Sequence, residues 1–145
     1  MKYTFEELFS GVQYKKLFDR EFEPLQKEYD LCKIDMQILF YLYSAGEKNT
    51  SKDIVELNMF TKGHISQALS RLQKKKLIVM VQDQEDRRCM HIIVNRKQAE
   101  EIVDKVRETY EQMNEIAFQG ITEEEIELFR FITDKIKNNI KRVII

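Results

Sequence analysis

Apolar residues recur at three- and four-residue spacing over the first part of the chain, a pattern typical of amphipathic helices. The first such stripe comprises Phe5, Leu8, Phe9, Val12, Leu17 and Phe18. Pro24 and the polar stretch to Asp30 are predicted to end this helix, because proline lacks the amide hydrogen that a helix interior needs. A second helix is predicted over about 34–44, with Gly46 as its C-terminal stop.

Two short helices are predicted next. Thr50, with Asp53 three residues later, is a candidate N-cap for a helix over about 51–58. Thr61 is a second candidate N-cap. The helix that follows Thr61 has an apolar stripe formed by Ile65, Ala68, Leu69 and Leu72. Two short helices joined by a turn of about three residues are typical of a helix-turn-helix.

The apolar pattern then changes from a helical period to alternation. Residues 77–81 form a short β-branched run, and Met90, Ile92 and Val94 alternate with the residues between them, which predicts two strands. The polar segment 82–87 is predicted to form the tip of the hairpin. A strand, a charged tip and a second strand directly after a helix-turn-helix describe a winged helix.

The last third of the chain is again helical in period. Asn95 with Gln98 is a candidate cap for a long helix that ends near Gly120. Thr122 with Glu125 forms a strong capping box for the last helix. The sequence therefore predicts a mainly α fold with a small β wing.

We expect one domain over 1–145, with a winged-helix lobe at about 34–95 and flanking helices at about 3–29 and 96–145. The flanking helices carry apolar stripes that are long for a domain of this size to cover alone. We expect them to pack together and against a second copy, as dimerisation helices.

Composition narrows the class of protein further. The chain has 145 residues with only 4 Gly and 1 Pro, which favours long elements over a sandwich or a glycine-rich nucleotide loop. It has no apolar run of the length that a transmembrane helix needs, and its N-terminus is acidic where a signal peptide would be apolar. We therefore expect a cytoplasmic protein without membrane contact, in which Cys32 and Cys89 are reduced thiols.

Charge is distributed unevenly along the chain. The formal net charge is −1, but residues 61–97 hold nine basic and three acidic side chains, a local charge of +6 against −7 elsewhere. A basic central segment between acidic flanking segments indicates local anion binding, although a solvated charged surface would have the same composition.

The segment from Thr61 to Leu72, followed by Leu77 and Ile78, resembles the recognition helix of the MarR family (multiple antibiotic resistance regulators). The triplet 86–88 matches that family's Asp-x-Arg wing motif, and an alternating apolar strand follows it, with Asn95 where the family usually has Thr. The order of the helices matches as well, so the resemblance covers nearly the whole chain.

The resemblance implies a homodimer that binds a pseudo-palindromic operator in double-stranded DNA. The face of the recognition helix opposite its apolar stripe would lie in the major groove. There Gln67 can read adenine, and Arg71 can read guanine or hold a phosphate. By the same resemblance, Arg88 would enter the minor groove and Asp86 would orient it. The predicted DNA-binding residues are Ser51, Thr61, Lys62, Gly63, His64, Ser66, Gln67, Ser70, Arg71, Asp86, Arg87 and Arg88.

The chain departs from the family pattern at two places. The family commonly has Gly where Lys76 stands, and because a left-handed helix end is costlier for Lys, we expect this helix to end differently. Basic residues common early in the wing are replaced by Val79, Met80 and Asp83, so we expect fewer phosphate contacts there.

Many members of the MarR family bind a small aromatic or anionic effector. Tyr14, Phe18, Tyr41 and Tyr43 could line such a pocket, although aromatic residues at helical spacing more often form core. Neither cysteine stands where the family carries a sensor thiol, and His64 and His91 do not form a metal-ligand pattern. No enzyme motif is present, so we expect no catalytic residue, cofactor or metal.

The sequence thus favours a homodimeric transcription regulator, a repressor released by a small molecule. Two alternatives remain open at this point. A winged helix can bind protein, although the tip at 83–88 is entirely polar or charged. The winged helices of the staphylococcal accessory regulator type (SarA-type) share the acidic-Arg wing and bind DNA, and one sequence separates them poorly from MarR.

Overall fold

The computed structural model describes residues 2–8 and 11–144, and of Val12 only the backbone. Its elements are α1 (Phe5–Leu8), α2 (Val12–Tyr29), α3 (Lys33–Tyr43), α4 (Ser51–Glu56), α5 (Lys62–Lys74), β1 (Ile78–Gln82), β2 (Met90–Val94), α6 (Arg96–Ala117) and α7 (Glu123–Lys141). The contacts divide the chain into two compact units, one up to Met113 and one from Asn114 onward. The predicted order of elements is confirmed.

The first long helix differs from its predicted form. Pro24 lies inside α2, which continues to Tyr29, so the expectation that proline ends this helix is wrong. Phe22 and Leu25 on either side of it are buried, and their burial outweighs one missing backbone hydrogen bond. The helix ends at Asp30, where the predicted polar stretch ends, and the φ of Asp30 is left-handed at 51°. Phe9 and the side chain of Val12 from the predicted stripe lie outside the described residues.

The predicted caps of the helix-turn-helix are confirmed. Thr50 and Asp53 form a reciprocal capping box at the start of α4, and the Thr61 hydroxyl accepts from the His64 amide at the start of α5. Both caps satisfy amide groups that a helix start leaves unpaired. The predicted apolar stripe of α5 is buried throughout, at Ile65, Ala68, Leu69 and Leu72. The opposite face of α5 therefore remains at the surface.

The wing is an antiparallel hairpin in which Ile78 pairs with Val94 and Gln82 pairs with Met90. Its inner half is held in the core, because Ile78 at the base and Ile92 in the middle of the ladder are almost completely buried. Its outer half is different, since Val81, Gln82 and Met90 are exposed. Main-chain contacts join β2 to the segment before α4, through a bridge between Thr50 and His91 and a hydrogen bond from the Ile92 amide to the Asn49 carbonyl (2.9 Å).

Lys76 adopts the left-handed conformation that a glycine would adopt more easily, with φ of 60°. The Leu77 amide donates to the Leu72 carbonyl and the Lys76 amide donates to the Gln73 carbonyl, both at 3.0 Å, which is the hydrogen-bond pattern of a Schellman end. The expectation that Lys would make α5 end differently is therefore wrong. Packing of Leu77 into the core fixes the turn despite the unfavourable residue.

The helix α6 buries one side through Ala99, Ile102, Val103, Val106 and Met113. Asn95 does not cap it in the predicted way, since its side-chain amide donates to the Lys76 carbonyl at 3.4 Å. The capping box of Thr122 and Glu125 at the start of α7 is confirmed. Within α7, all of which the structure describes, no side chain is buried.

The fold is thus mainly helical with a two-stranded wing. Among the described residues, no helix is both long enough and apolar enough to cross a membrane.

Candidate nucleic-acid interface

The exposed face of α5 consists of small and polar side chains. Six predicted DNA-binding residues lie exposed on this helix or at its start: Thr61, Lys62, Gly63, His64, Ser66 and Gln67; Ser70 is exposed one turn later. A Cβ added at Gly63 would meet no atom within 4 Å apart from its own helix. The fold itself therefore does not require glycine at this position, which fits a close approach from outside.

A groove between α4 and α5 brings several predicted residues together. It has a volume of about 830 Å³, and its polar rim includes Ser51, Lys52, Lys62, Ser66 and Ser70. Lys52 was not among the residues predicted from the sequence to bind DNA. Its place on this rim could not be seen without the packing of the two helices.

Arg71 does not join this exposed surface in the way predicted. Its Nε lies 2.9 and 3.0 Å from the two carboxylate oxygens of Asp35, and its Nη2 lies 2.9 Å from one of them. Asp35 is completely buried, and it also accepts the Cys32 amide at 3.0 Å. The hydrogen bond to Asp35 raises the pKa of Arg71. The guanidinium therefore fixes α5 to α3 instead of pointing toward a base.

Two aspartates build the tip of the wing. One oxygen of Asp83 accepts the amides of Glu85 (3.0 Å) and Asp86 (2.8 Å), and Asp86 in turn accepts the amide of Arg88 (3.0 Å). The hydrogen bond from the Asp86 amide, with those from His91 and Glu85, holds the pKa of Asp83 below its ordinary value. Asp86 thus orients the backbone of Arg88, whereas the resemblance implied that it orients the side chain.

The tip lies beside the start of α4. Asp86 and Arg88 line a hollow of about 460 Å³ together with Thr50, Ser51 and Lys52. Ser51 and Lys52 also belong to the rim of the α4–α5 groove. The recognition helix, the start of α4 and the wing tip therefore border one continuous surface, which also includes apolar residues such as Val55 and Met80.

Arg87 is exposed in the same turn, where its carbonyl accepts the side-chain amide of Gln82 at 2.9 Å. The structure also places His91 in this region. From the sequence, His91 was considered only as a metal ligand. Its Nδ1 lies 2.6 Å from Asn49 Oδ1 and its Nε2 lies 2.7 Å from Asp83 Oδ1. Asn49 and His91 are 42 residues apart, and no local pattern indicated that they pair.

The predicted effector pocket is only partly assembled. Tyr14 and Phe18 line a cavity of about 530 Å³ with the basic residues Lys15, Lys33 and His64. Phe18 is itself 7% exposed and stacks on Phe22 at a centroid distance of 4.3 Å, so it serves mainly as core.

Two of the predicted aromatic residues lie elsewhere. The hydroxyl of Tyr41 donates to the Lys48 carbonyl at 2.9 Å, and Tyr41 does not line the cavity of Tyr14. The ring of Tyr43 lies under the guanidinium of Arg96, 4.5 Å from its centroid. Both residues lie in the last turn of α3, and the prediction that Tyr41 shares a pocket with Tyr14 is not supported.

Cys32 and Cys89 are unpaired thiols, with Cys32 exposed as the N-cap of α3. Within the described residues, no group of three or more His, Cys, Asp or Glu side chains could hold a metal ion.

Comparison with known proteins shows which family the chain matches. A family model described as the transcriptional regulator SarA/Rot matches residues 20–106, more than half of the chain. A search of curated protein sequences gave no match.

Solved structures share the fold over almost the whole chain. MepR from S. aureus, in a complex with DNA, is 22% identical with a TM-score of 0.75, and the match covers 95% of this chain and 99% of MepR. A MarR-family regulator from Listeria monocytogenes, complexed with a 26mer DNA, is 23% identical with a TM-score of 0.79, covering 97% and 90%. A SlyA-like regulator from the same organism is 21% identical with a TM-score of 0.79, covering 97% and 90%. At these identities the likeness shows a shared winged-helix fold, as the sequence predicted.

Proposed function

This chain belongs to the SarA/Rot family of transcriptional regulators, and from that premise we propose that it acts as a homodimer on a pseudo-palindromic operator in double-stranded DNA. Its role is regulatory rather than catalytic, and its place of action is the cytoplasm. The MarR-type resemblance of the motifs and the SarA alternative lead to the same interface, because both place a recognition helix and an acidic-Arg wing on DNA.

The observation that carries the proposal is the continuous surface formed by α5, the start of α4 and the wing tip. Ser51 and Lys52 line both the α4–α5 groove and the hollow that contains Arg88. The 13 residues of α5 span about 20 Å, which fits a major groove of B-DNA. A side chain beside that helix would then reach the flanking minor groove, where the negative potential favours arginine.

The individual roles follow from exposure. Gln67 and Ser70 lie on the most exposed side of α5, where Gln67 can hydrogen-bond both N6 and N7 of an adenine. Lys62, Ser51 and Thr61 lie at helix starts, where amides and hydroxyls contact phosphate oxygens. Arg71 is left out of the base-reading set, because its guanidinium is bound to Asp35.

Dimerisation is proposed to involve the second compact unit. Its helix α7 exposes a row of large apolar side chains, each between 45% and 59% exposed: Leu128, Phe129, Phe131 and Ile132. A contiguous apolar patch of this kind marks a protein interface. A second copy of the chain would place two recognition helices about one turn of DNA apart, roughly 10 bp.

An effector would act by binding one spacing of the two lobes better than the other. The cavity beside Tyr14 is the candidate site, since its wall combines aromatic rings with Lys15 and His64, while Lys33 is paired with Asp19 of the same wall. Those side chains fit a small aromatic or anionic compound. Release from DNA by such a compound would make the protein a repressor.

Selection from a random pool of duplex DNA tests the proposal. We expect the purified protein to recover an inverted repeat at moderate salt. If six to ten phosphates are contacted, log K should fall with log salt at a slope of about −0.9 per phosphate. A featureless pool, or a slope near zero, would contradict DNA as the partner.

One observation favours a second candidate, a winged helix that binds protein. The outer face of the wing exposes Val79, Val81 and Ile93, between 43% and 52% each. These residues lie on the strands, whereas the tip itself is polar. A featureless DNA pool from a folded protein would favour this candidate.

A further inference from the structure

We infer that His91 is a positioning residue of the wing, whose imidazole joins the hairpin tip to the segment before α4 and thereby sets where Arg88 lies relative to the recognition helix. The inference about Arg88 rests on the proposed DNA binding. The link itself is a property of the protein alone, so it can be tested separately.

Beyond the Thr50–His91 bridge and the hydrogen bond from the Ile92 amide to the Asn49 carbonyl, the outer half of the hairpin has few contacts with the rest of the lobe. Val81, Gln82 and Met90 are exposed, so no buried side chain anchors the strands beyond Ile92, which lies in the middle of the ladder opposite Met80. An isolated two-stranded hairpin is marginally stable in water. The position of the tip therefore depends on polar links to the rest of the lobe.

His91 provides such a link from one ring. Its Nε2 lies 2.7 Å from Asp83 Oδ1, at the tip, and its Nδ1 lies 2.6 Å from Asn49 Oδ1, just before α4. The ionised carboxylate of Asp83 can only accept, so Nε2 carries the hydrogen. The side-chain amide of Asn49 offers both an acceptor and a donor to Nδ1.

The link continues through side-chain carboxylates and backbone amides to the main chain of Arg88. The second oxygen of Asp83 accepts the Asp86 amide at 2.8 Å, and the carboxylate of Asp86 accepts the Arg88 amide at 3.0 Å. Asn49, His91, Asp83 and Asp86 thus form a chain of hydrogen bonds that begins one residue before the α4 N-cap and ends at Arg88. Movement of the tip away from α4 must break one of these bonds.

The chain of bonds explains why His91 is half-buried on a strand whose neighbours on the same face are exposed. Ile93, two residues along β2, points to the same side of the sheet and is 43% exposed. Ile93→Thr is therefore a matched control, because it changes the same face of the same strand without touching the link and keeps a β-branched side chain.

The first test needs no DNA. We expect His91→Ala to leave the melting temperature within a few degrees of the wild type, because the side chain is outside the core. Backbone ¹⁵N order parameters over residues 83–88 should fall from rigid values near 0.85 toward about 0.6, while those of α5 stay unchanged. Asn49→Ala should reproduce the effect, His91→Gln should restore part of it, and Ile93→Thr should show none.

The second test uses the selected operator. We expect His91→Ala to weaken binding about tenfold, and the His91→Ala, Arg88→Ala double variant to bind about as weakly as Arg88→Ala alone. This non-additivity separates positioning of Arg88 from a general loss of structure, which would add to the arginine effect. Additive losses would contradict the role of His91 in placing Arg88.

The two tests fail in different ways. Unchanged order parameters at the tip in His91→Ala would overturn the inference whatever the DNA results. A wild-type protein that binds no duplex would contradict the proposed function, while a loosened tip in His91→Ala would still support the link.

Discussion

The recognition helix and the wing tip are the two parts of the proposed DNA surface, and they are held by opposite means. The helix α5 is fixed by four buried apolar residues and by a buried ion pair between Arg71 and Asp35. The tip at residues 83–88 is fixed by hydrogen bonds among exposed or half-exposed polar groups. Buried contacts are coupled to the stability of the whole lobe, whereas exposed polar links control local position.

Because the two parts are held by different means, substitutions in them should have different effects. A change behind α5 should alter unfolding before it alters DNA binding. A change in the tip should alter DNA binding while the lobe stays folded. Each of the following measurements tests one side of that contrast.

The largest effect is expected from breaking the ion pair behind α5. Replacement of Arg71 by Met leaves the carboxylate of Asp35 buried without its partner, which should cost about 3 kcal/mol of unfolding free energy. The value lies at the low end of the range for buried pairs because the side chain of Arg71 is 38% exposed. Urea denaturation followed by circular dichroism measures it.

Lys74→Met is the matched control for this change, since Lys74 is an exposed basic residue on the same helix. Its effect on stability should stay within about 0.5 kcal/mol. The double change Asp35→Asn, Arg71→Met should recover part of the loss, because no buried charge remains. Equal stability of Arg71→Met and the wild type would show that the pair does not fix α5.

The next effect concerns the wing. Arg88→Ala should weaken operator binding at least tenfold, about 1.4 kcal/mol, because the proposed minor-groove contact is lost. The melting temperature and the dimer should stay unchanged, since Arg88 is exposed. Binding curves for the selected operator measure the affinity, with Gln84→Ala, another exposed residue of the tip outside the predicted DNA-binding set, as the control. An affinity within twofold of the wild type would contradict the assigned role of Arg88.

Most of the fold could be predicted from the sequence because its signals are local. The caps at Thr50, Thr61 and Thr122 act on amides three residues away, and the alternation in β2 predicts a strand, in which only Ile92 is buried. A short-range pattern of this kind is visible without knowing the rest of the structure. The helix-turn-helix and the wing therefore followed from spacing alone.

The missed features involve partners that are distant in sequence or burial that overrides propensity. Arg71 lies 36 residues from Asp35, so its exposed position on the helix suggested a base contact that the ion pair prevents. Pro24 lies within a helix because Phe22 and Leu25 are buried around it. Sequence spacing predicts which face of a helix is polar, but it does not show which of the polar residues are already bound.

A smaller effect should come from the turn that joins the two parts. Lys76 has φ of 60°, so Lys76→Gly should stabilise the lobe by up to about 1 kcal/mol. Lys75 has φ of −82° next to it, and Lys75→Gly should destabilise by a similar or smaller amount. Denaturation curves of the two variants should therefore move in opposite directions. A shift of both in the same direction would show that charge, not backbone conformation, controls this turn.

The smallest effect is local to the tip and depends on pH. The pKa of Asp83 is lowered by the amide hydrogens of Asp86 and Glu85 and by His91, so its ionised form stabilises the folded tip. For a carboxyl with a lowered pKa, this stabilisation is fully present above the unfolded value, about 3.9, and is lost as the pH falls through the folded value. The amide resonances of Glu85 and Asp86 should therefore move with a midpoint below 3.9, while those of α5 stay constant over the same range. A midpoint at or above 3.9 would mean that the carboxylate of Asp83 does not hold the tip. The contrast between a helix fixed by buried residues and a wing tip fixed by polar groups would then fail for the wing tip.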